Sequence, residues 1–141
     1  LTARPNATAE SSENGLLQAW EVLEQMRLDA DLVTLSGCST ALGKEATGEG
    51  IIGLTRAFQY AGARTVLASL WSVADDSTAE LMDRLYRRLR SGAATNDALR
   101  GAQLDLLTAP FSLTEDDGES REIDASHPFH WAAFQVIGDW R

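Results

Sequence analysis

With 141 residues, 44% of them apolar and 23% charged, the chain can bury one core and is too short for two ordinary domains. Twelve Lys and Arg against twenty-one Asp and Glu leave a formal charge of −9, which repels phosphate backbones and anionic lipid, so neither nucleic acid nor a membrane is an expected partner. No apolar run reaches bilayer-crossing length, no secretion-signal pattern is read, and the single Cys38 excludes an internal disulfide or a multi-thiolate metal site; a cytoplasmic protein is expected.

Residues 1–14 mix Pro5, Asn6, Thr8, Ser11, Ser12 and Asn14 with few large apolar groups and read as a flexible arm. From there Leu16, Trp20, Leu23 and Met26 step at four, three and three, one stripe of a helix over about 15–27. Leu32-Val33-Thr34-Leu35 predicts a buried strand running into a turn at Ser36-Gly37-Cys38. After a glycine-containing loop, Ile51, Leu54, Phe58 and Ala61 return to helical spacing, with Gly62 in the C-terminal stop position. Residues 65–70 are nearly continuous in small and β-branched groups, as in a strand covered on both faces.

Trp71–Ala74 form a crossover loop, and Asp75, Asp76 and Ser77 precede a helix whose far end carries Arg84, Arg87, Arg88 and Arg90, matching the helix dipole. Thr95 is placed to cap a further helix with Leu99, Ala102, Gln103 and Leu106 on one stripe, ended before Pro110. The acid-rich stretch 111–126 reads as a solvated loop, and Trp131–Ile137 as a last strand closed by Gly138. This alternation predicts an α/β fold with a mainly parallel sheet, strands near 32–36, 65–70 and 132–137 adjacent, and helices on both faces. Three strands make a thin sheet with an edge that must be covered or paired. The start at Leu1 rather than Met adds the expectation that the chain is part of a longer polypeptide whose upstream strands supply that cover.

Loops at the carboxyl ends of parallel strands converge with helix N-termini, which makes that rim the place for reactive groups. Cys38 falls there among Ser36, Gly37, Ser39 and Thr40. It is either a small packed hydrophobe or a reachable thiol needing a base to ionise. Glu49 either orients the neighbouring loop or is a solvated acid, and Trp71 either walls a pocket or plugs the sheet edge. His127 and His130, three apart at the entry of the last strand, face opposite sides of it and are expected to be structural rather than a metal pair. Gly48-x-Gly50-x-x-Gly53 fits a dinucleotide fingerprint by letter only, since it follows a loop and the ribose acid is missing. No cofactor and no metal are called for.

Three strings resemble the second half of the CHAT domain family: Leu32 to Thr40, Gly48 to Phe58 and Ala61 to Asp75. His127-Pro128-Phe129-His130-Trp131-Ala132-Ala133-Phe134 is similar to that family's last strand, and Gly15-Leu16-Leu17 to the segment leading into its helix before the catalytic strand. Gly37, Ser39 and Ala41 depart from the Ala, Glu and Gly common at those places. The resemblance assigns residues 15–141 to the C-terminal part of a caspase-like cysteine protease domain, often fused to tetratricopeptide repeats (TPR) and related to separases.

It implies an α/β caspase-like sandwich and a Cys-His dyad, with Cys38 as nucleophile and a His-Gly pair earlier in the parent chain. In caspases the base lies about 50 residues before the nucleophile. Here 37 residues precede Cys38 and none is His, so the base is expected upstream and the chain alone inactive. Implied partners are a protein substrate, the N-terminal half of the domain and a TPR or sensor region; an open sheet edge also offers a route to a homodimer. The separase resemblance further suggests that Asp75, with Asp76 as the weaker choice, binds a basic substrate side chain; otherwise both acids cap the helix behind them. A non-catalytic, caspase-like scaffold in a signalling or defence protein is the alternative function.

Overall fold

Alternation along the central strand sets the architecture, because successive side chains of a strand point to opposite faces and here both faces carry apolar groups. In the computed structural model residues 17–36, 48–114 and 119–139 are described, the side chains of 48–51 and 114 excepted. In chain order the elements are α1 (Ala19–Gln25), β1 (Ala30–Leu35), α2 (Gly48–Ala61), β2 (Ala63–Ser69), α3 (Asp75–Arg90) and α4 (Thr95–Thr108). They are followed by β3 (Phe111–Thr114), β4 (Ser120–Ile123), a 3₁₀ turn at Pro128–His130 and β5 (Phe134–Gly138).

The main sheet runs β1-β2-β5. Val66 of β2 is fully buried with Val22 of α1 and Ala57, Phe58 and Ala61 of α2, while Leu67, also fully buried, joins Leu81 and Leu85 of α3 and Leu99 and Leu106 of α4 on the opposite face. Helices therefore cover both faces, as the α/β expectation requires. β1 and β2 pair in parallel with Val33 opposite Val66, whereas β5 pairs antiparallel to β2 with Val136 opposite Leu67. The expected adjacency of the three strands holds, but the last strand runs the other way. Its entry explains the direction: β5 starts at Phe134 beside Ser69, the end of β2, because the 3₁₀ turn delivers the chain to that same rim.

Local chemistry fixes the boundaries. The Gln18 backbone N–H donates to Glu21 Oε2 at 2.7 Å, starting α1 later than the stripe suggested. Gly62 ends α2 with φ +116°, and a Cβ there would lie 2.0 Å from the Leu28 carbonyl oxygen, so the turn requires glycine. Thr95 is the first helical residue of α4; the capping position belongs to Ala94.

The segment 111–126 is not simply a solvated loop. β3 and β4 form an antiparallel hairpin with Phe111 opposite Ile123, and Phe111, 5% exposed, enters the α3/α4 core with Leu113 and Ile123 packed against it. The apolar face of α1 also differs from expectation. Val22 is its buried residue, with Ala19 and Met26 packed beside it, while Trp20 and Leu23 are 46% and 43% exposed. The helix thus has a second apolar side facing away from the described core.

Candidate functional site

Parallel pairing carries β1 and β2 to one rim: Leu35 lies opposite Ala68, so Ser36 and Ser69 close the two strands side by side. The antiparallel β5 begins on that rim, the 3₁₀ turn sits just ahead of it, and the first turn of α3 follows β2 after a five-residue connection. Cys38, two residues beyond Ser36 in sequence, lies outside the described residues, as does the side chain of Glu49, whose backbone is in the first turn of α2 rather than in a loop.

Backbone and side-chain bonds fasten the rim together. The Leu70 N–H donates to the Ala133 carbonyl at 2.9 Å, and Trp71 Nε1 donates to the Phe129 carbonyl at 3.2 Å. Trp71 is nonetheless 38% exposed, so its side chain is tied to the 3₁₀ turn through Nε1 and stays partly open to solvent. Ser77, 1% exposed, donates to the Ala74 carbonyl at 3.1 Å, and its Oγ lies 3.1 Å from His130 Nδ1. Because the serine has one hydroxyl proton, His130 Nδ1–H is the donor of that second bond. Gln103 Nε2 of α4 donates to the Trp131 and Phe134 carbonyls at 3.1 and 3.3 Å, holding the entry to β5 from the other side.

The histidines are structural, but not as expected. They flank and form the 3₁₀ turn instead of lying on the strand: His127 Nδ1 accepts the Phe129 N–H at 3.2 Å and so caps that turn, while His130 serves Ser77. Asp124 closes the same corner by accepting the Ser126 N–H at 2.9 Å. That backbone donor, then the Ser126 hydroxyl, and more weakly the charge of His130, hold the Asp124 carboxyl below its ordinary 3.8 against an opposing desolvation.

Asp75 and Asp76 do not cap α3 with their side chains, since Ala74 occupies the cap position. They stand in the first helical turn, where the exposed N–H groups of the helix favour negative charge. Both are exposed, so the deep carboxylate that would give a sharp preference for a basic side chain is not seen. Asp76 Oδ2 accepts from Arg121 Nη2 of β4 at 3.3 Å, a partner that the acidic run around it concealed in the sequence. Asp75 has no hydrogen bond or ion pair among the described residues. The rim therefore brings together Trp71, Asp75, Asp76, Ser77 and His130. Its chemistry is that of a polar, partly open edge with two exposed carboxylates in the first turn of α3.

Among the described residues no group of three or more His, Cys, Asp and Glu is arranged to hold a metal ion, and no helix is long and apolar enough to cross a membrane. No solved structure matches the chain. Tetratricopeptide repeat protein 28 of Homo sapiens is 34% identical over 123 residues, covering 87% of this chain and 4% of that protein. The Mus musculus protein of the same name is 32% identical over the same length and shares. The chain thus spans about 4% of the length of these curated relatives. The profile described as the CHAT domain matches residues 3–139; with an α/β fold, a parallel β1–β2 pair and TPR-protein relatives, the chain belongs to the CHAT domain family.

Proposed function

We propose that this chain is the nucleophile-bearing part of a caspase-like cysteine endopeptidase, acting on protein substrates through Cys38 with a histidine supplied by the parent chain upstream. The observation that carries the reading is the parallel β1–β2 pair, whose common rim leads directly into the Cys38 segment and carries the α3 N-terminus with Asp75 and Asp76. In the reaction the thiolate attacks the scissile carbonyl, an acyl-enzyme forms as the amine leaves with a proton from the histidine, and water then releases the acid. Asp75 and Asp76 would favour a basic residue before the scissile bond by charge, modestly, because they are exposed.

The open edge of β1 supports an upstream strand beside it. β1 has a neighbour on one edge only among the described residues, and α1 lies on the same face as α2. A strand preceding α1 and connected to β1 with the usual right-handed crossover would therefore sit on the open β1 edge. Trp20, Leu23 and Leu17, exposed beside that face, support cover by an upstream segment. The test is cleavage of cellular proteins by the intact parent protein, read by N-terminal labelling. New termini should appear with the wild type and vanish with Cys38→Ala; an unchanged set of termini contradicts the reading.

One observation favours the second reading, a caspase-like scaffold. The two histidines of the chain are both engaged at the β5 entry, and β5 is separated from β1 by β2, roughly 10 Å at ordinary strand spacing. Without an upstream histidine the rim would bind peptides without cutting them, so intact peptide bound at the rim with no new termini separates the two readings.

A further inference from the structure

We propose that Arg121 of the β3–β4 hairpin is an internal occupant of Asp76, competing with the cationic side chain of a peptide ligand for the first turn of α3. The inference rests on the reading of Asp75 and Asp76 as the acidic part of the rim and adds its regulation. Arg121 and Asp76 are 45 residues apart in sequence, yet Nη2 and Oδ2 meet at 3.3 Å. The guanidinium is not on a loose tether: its strand is paired with β3 through Leu113 opposite Arg121, and the hairpin is rooted in the core by Phe111, Ile123 and the fully buried Ala125.

The pair is also made to be displaced. Its side chains are 60% and 49% exposed, so water and salt reach it and its own strength is small. Neighbouring Asp75 is open on the same helical turn, where a cation can first settle before exchanging with Arg121. A pair this exposed acts as a competitor and not as a lock, and its removal should tighten a cationic peptide by about two- to five-fold. The remaining acids of the hairpin and the flanking corner, Glu119, Glu122 and Asp124, are exposed and add a negative surround that Arg121 partly offsets.

Binding is measured by fluorescence anisotropy in the intact parent protein carrying Cys38→Ala, so that no peptide is consumed, with labelled Ala-Ala-Arg and Ala-Ala-Leu as probes. Arg121→Gln should tighten the arginine peptide about two- to five-fold and leave the leucine peptide unchanged. Adding Asp76→Asn should cancel that gain. Arg64→Gln, which breaks the still more exposed Arg64–Asp31 pair at the opposite end of the sheet and removes the same charge, should change neither peptide. The inference is overturned if Arg121→Gln leaves the arginine peptide's affinity unchanged or weaker, or if Arg64→Gln tightens it equally. Since binding is read without cleavage, failure of the endopeptidase reading would show separately, as absence of Cys38-dependent new termini.

Discussion

Leu35 of β1 lies opposite Ala68 of β2 in parallel register, so the two strands release the chain on the same rim within one residue of each other. The proposed function rests on that alignment. The segment leading to Cys38 and the connection leading to Asp75 start side by side, and β5, entering antiparallel at Phe134, brings the 3₁₀ turn to the same place.

The two-faced sheet makes Leu67 a sensitive core position. It is fully buried at the centre of β2, on the α3/α4 face. Leu67→Ala should cost about 2–5 kcal/mol in urea unfolding of the intact domain. A loss below about 1 kcal/mol would mean that this face is loosely packed.

Two glycines with positive φ should separate strain from crowding. Gly92 has φ +89° and nothing within 4 Å of an added Cβ, whereas Gly62 combines φ +116° with the Leu28 carbonyl in the way. Gly92→Ala should cost about 1 kcal/mol and Gly62→Ala clearly more, since backbone must also move. Equal losses in chemical denaturation would contradict the crowding at Gly62.

Much of this was legible because burial leaves a period in the sequence. The continuous apolar run of β2 announced cover on both faces, and the spacing Ile51, Leu54, Phe58, Ala61 followed by Gly62 located α2 and its end. Strand direction has no such signature: alternation reads the same both ways, and the antiparallel entry of β5 depends on how Gln103 and the 3₁₀ turn hold Trp131 and Phe134. In the hairpin, the alternating Phe111 and Leu113 are overshadowed by the acids around them, so composition pointed to a loop. At the site, the rim position of Asp75 and Asp76 was readable from the strand-to-helix transition. Their exposure and the Arg121 partner depend on tertiary packing and were not.

Asp124 should titrate below an ordinary aspartate. Its folded value lies under 3.8 because Ser126 donates its backbone N–H and hydroxyl to the charged form, so the contribution to the corner is complete above 3.8 and is lost as pH falls through the folded value. Carboxyl carbon NMR should follow the depressed titration with the Ser126 amide moving in step. Ser126→Ala should return part of the shift, and Ser126→Pro, which removes the N–H, more of it. A titration at the ordinary value in the wild type would contradict the hydrogen-bonded corner.

Ser77 ties the 3₁₀ turn to the start of α3 through His130. Ser77→Ala should lose about 1 kcal/mol of stability and speed amide exchange at Phe129–Trp131. Exchange there that does not change, with the same loss of stability, would restrict Ser77 to its bond with the Ala74 carbonyl.

The central claim, that Cys38 is a nucleophile served by this rim, is tested most directly by covalent trapping in the intact parent protein. Peptidyl acyloxymethyl ketones ending in Arg, Leu or Asp are offered, and the modified cysteine is located by mass spectrometry. Attack by the thiolate forms the thioether and releases the carboxylate. The account predicts one adduct, at Cys38, forming faster with the arginine probe than with the aspartate probe and absent after mutation of the upstream histidine. Labelling of Cys38 no faster than that of an unfolded thiol, or labelling only at other cysteines of the parent, would contradict it.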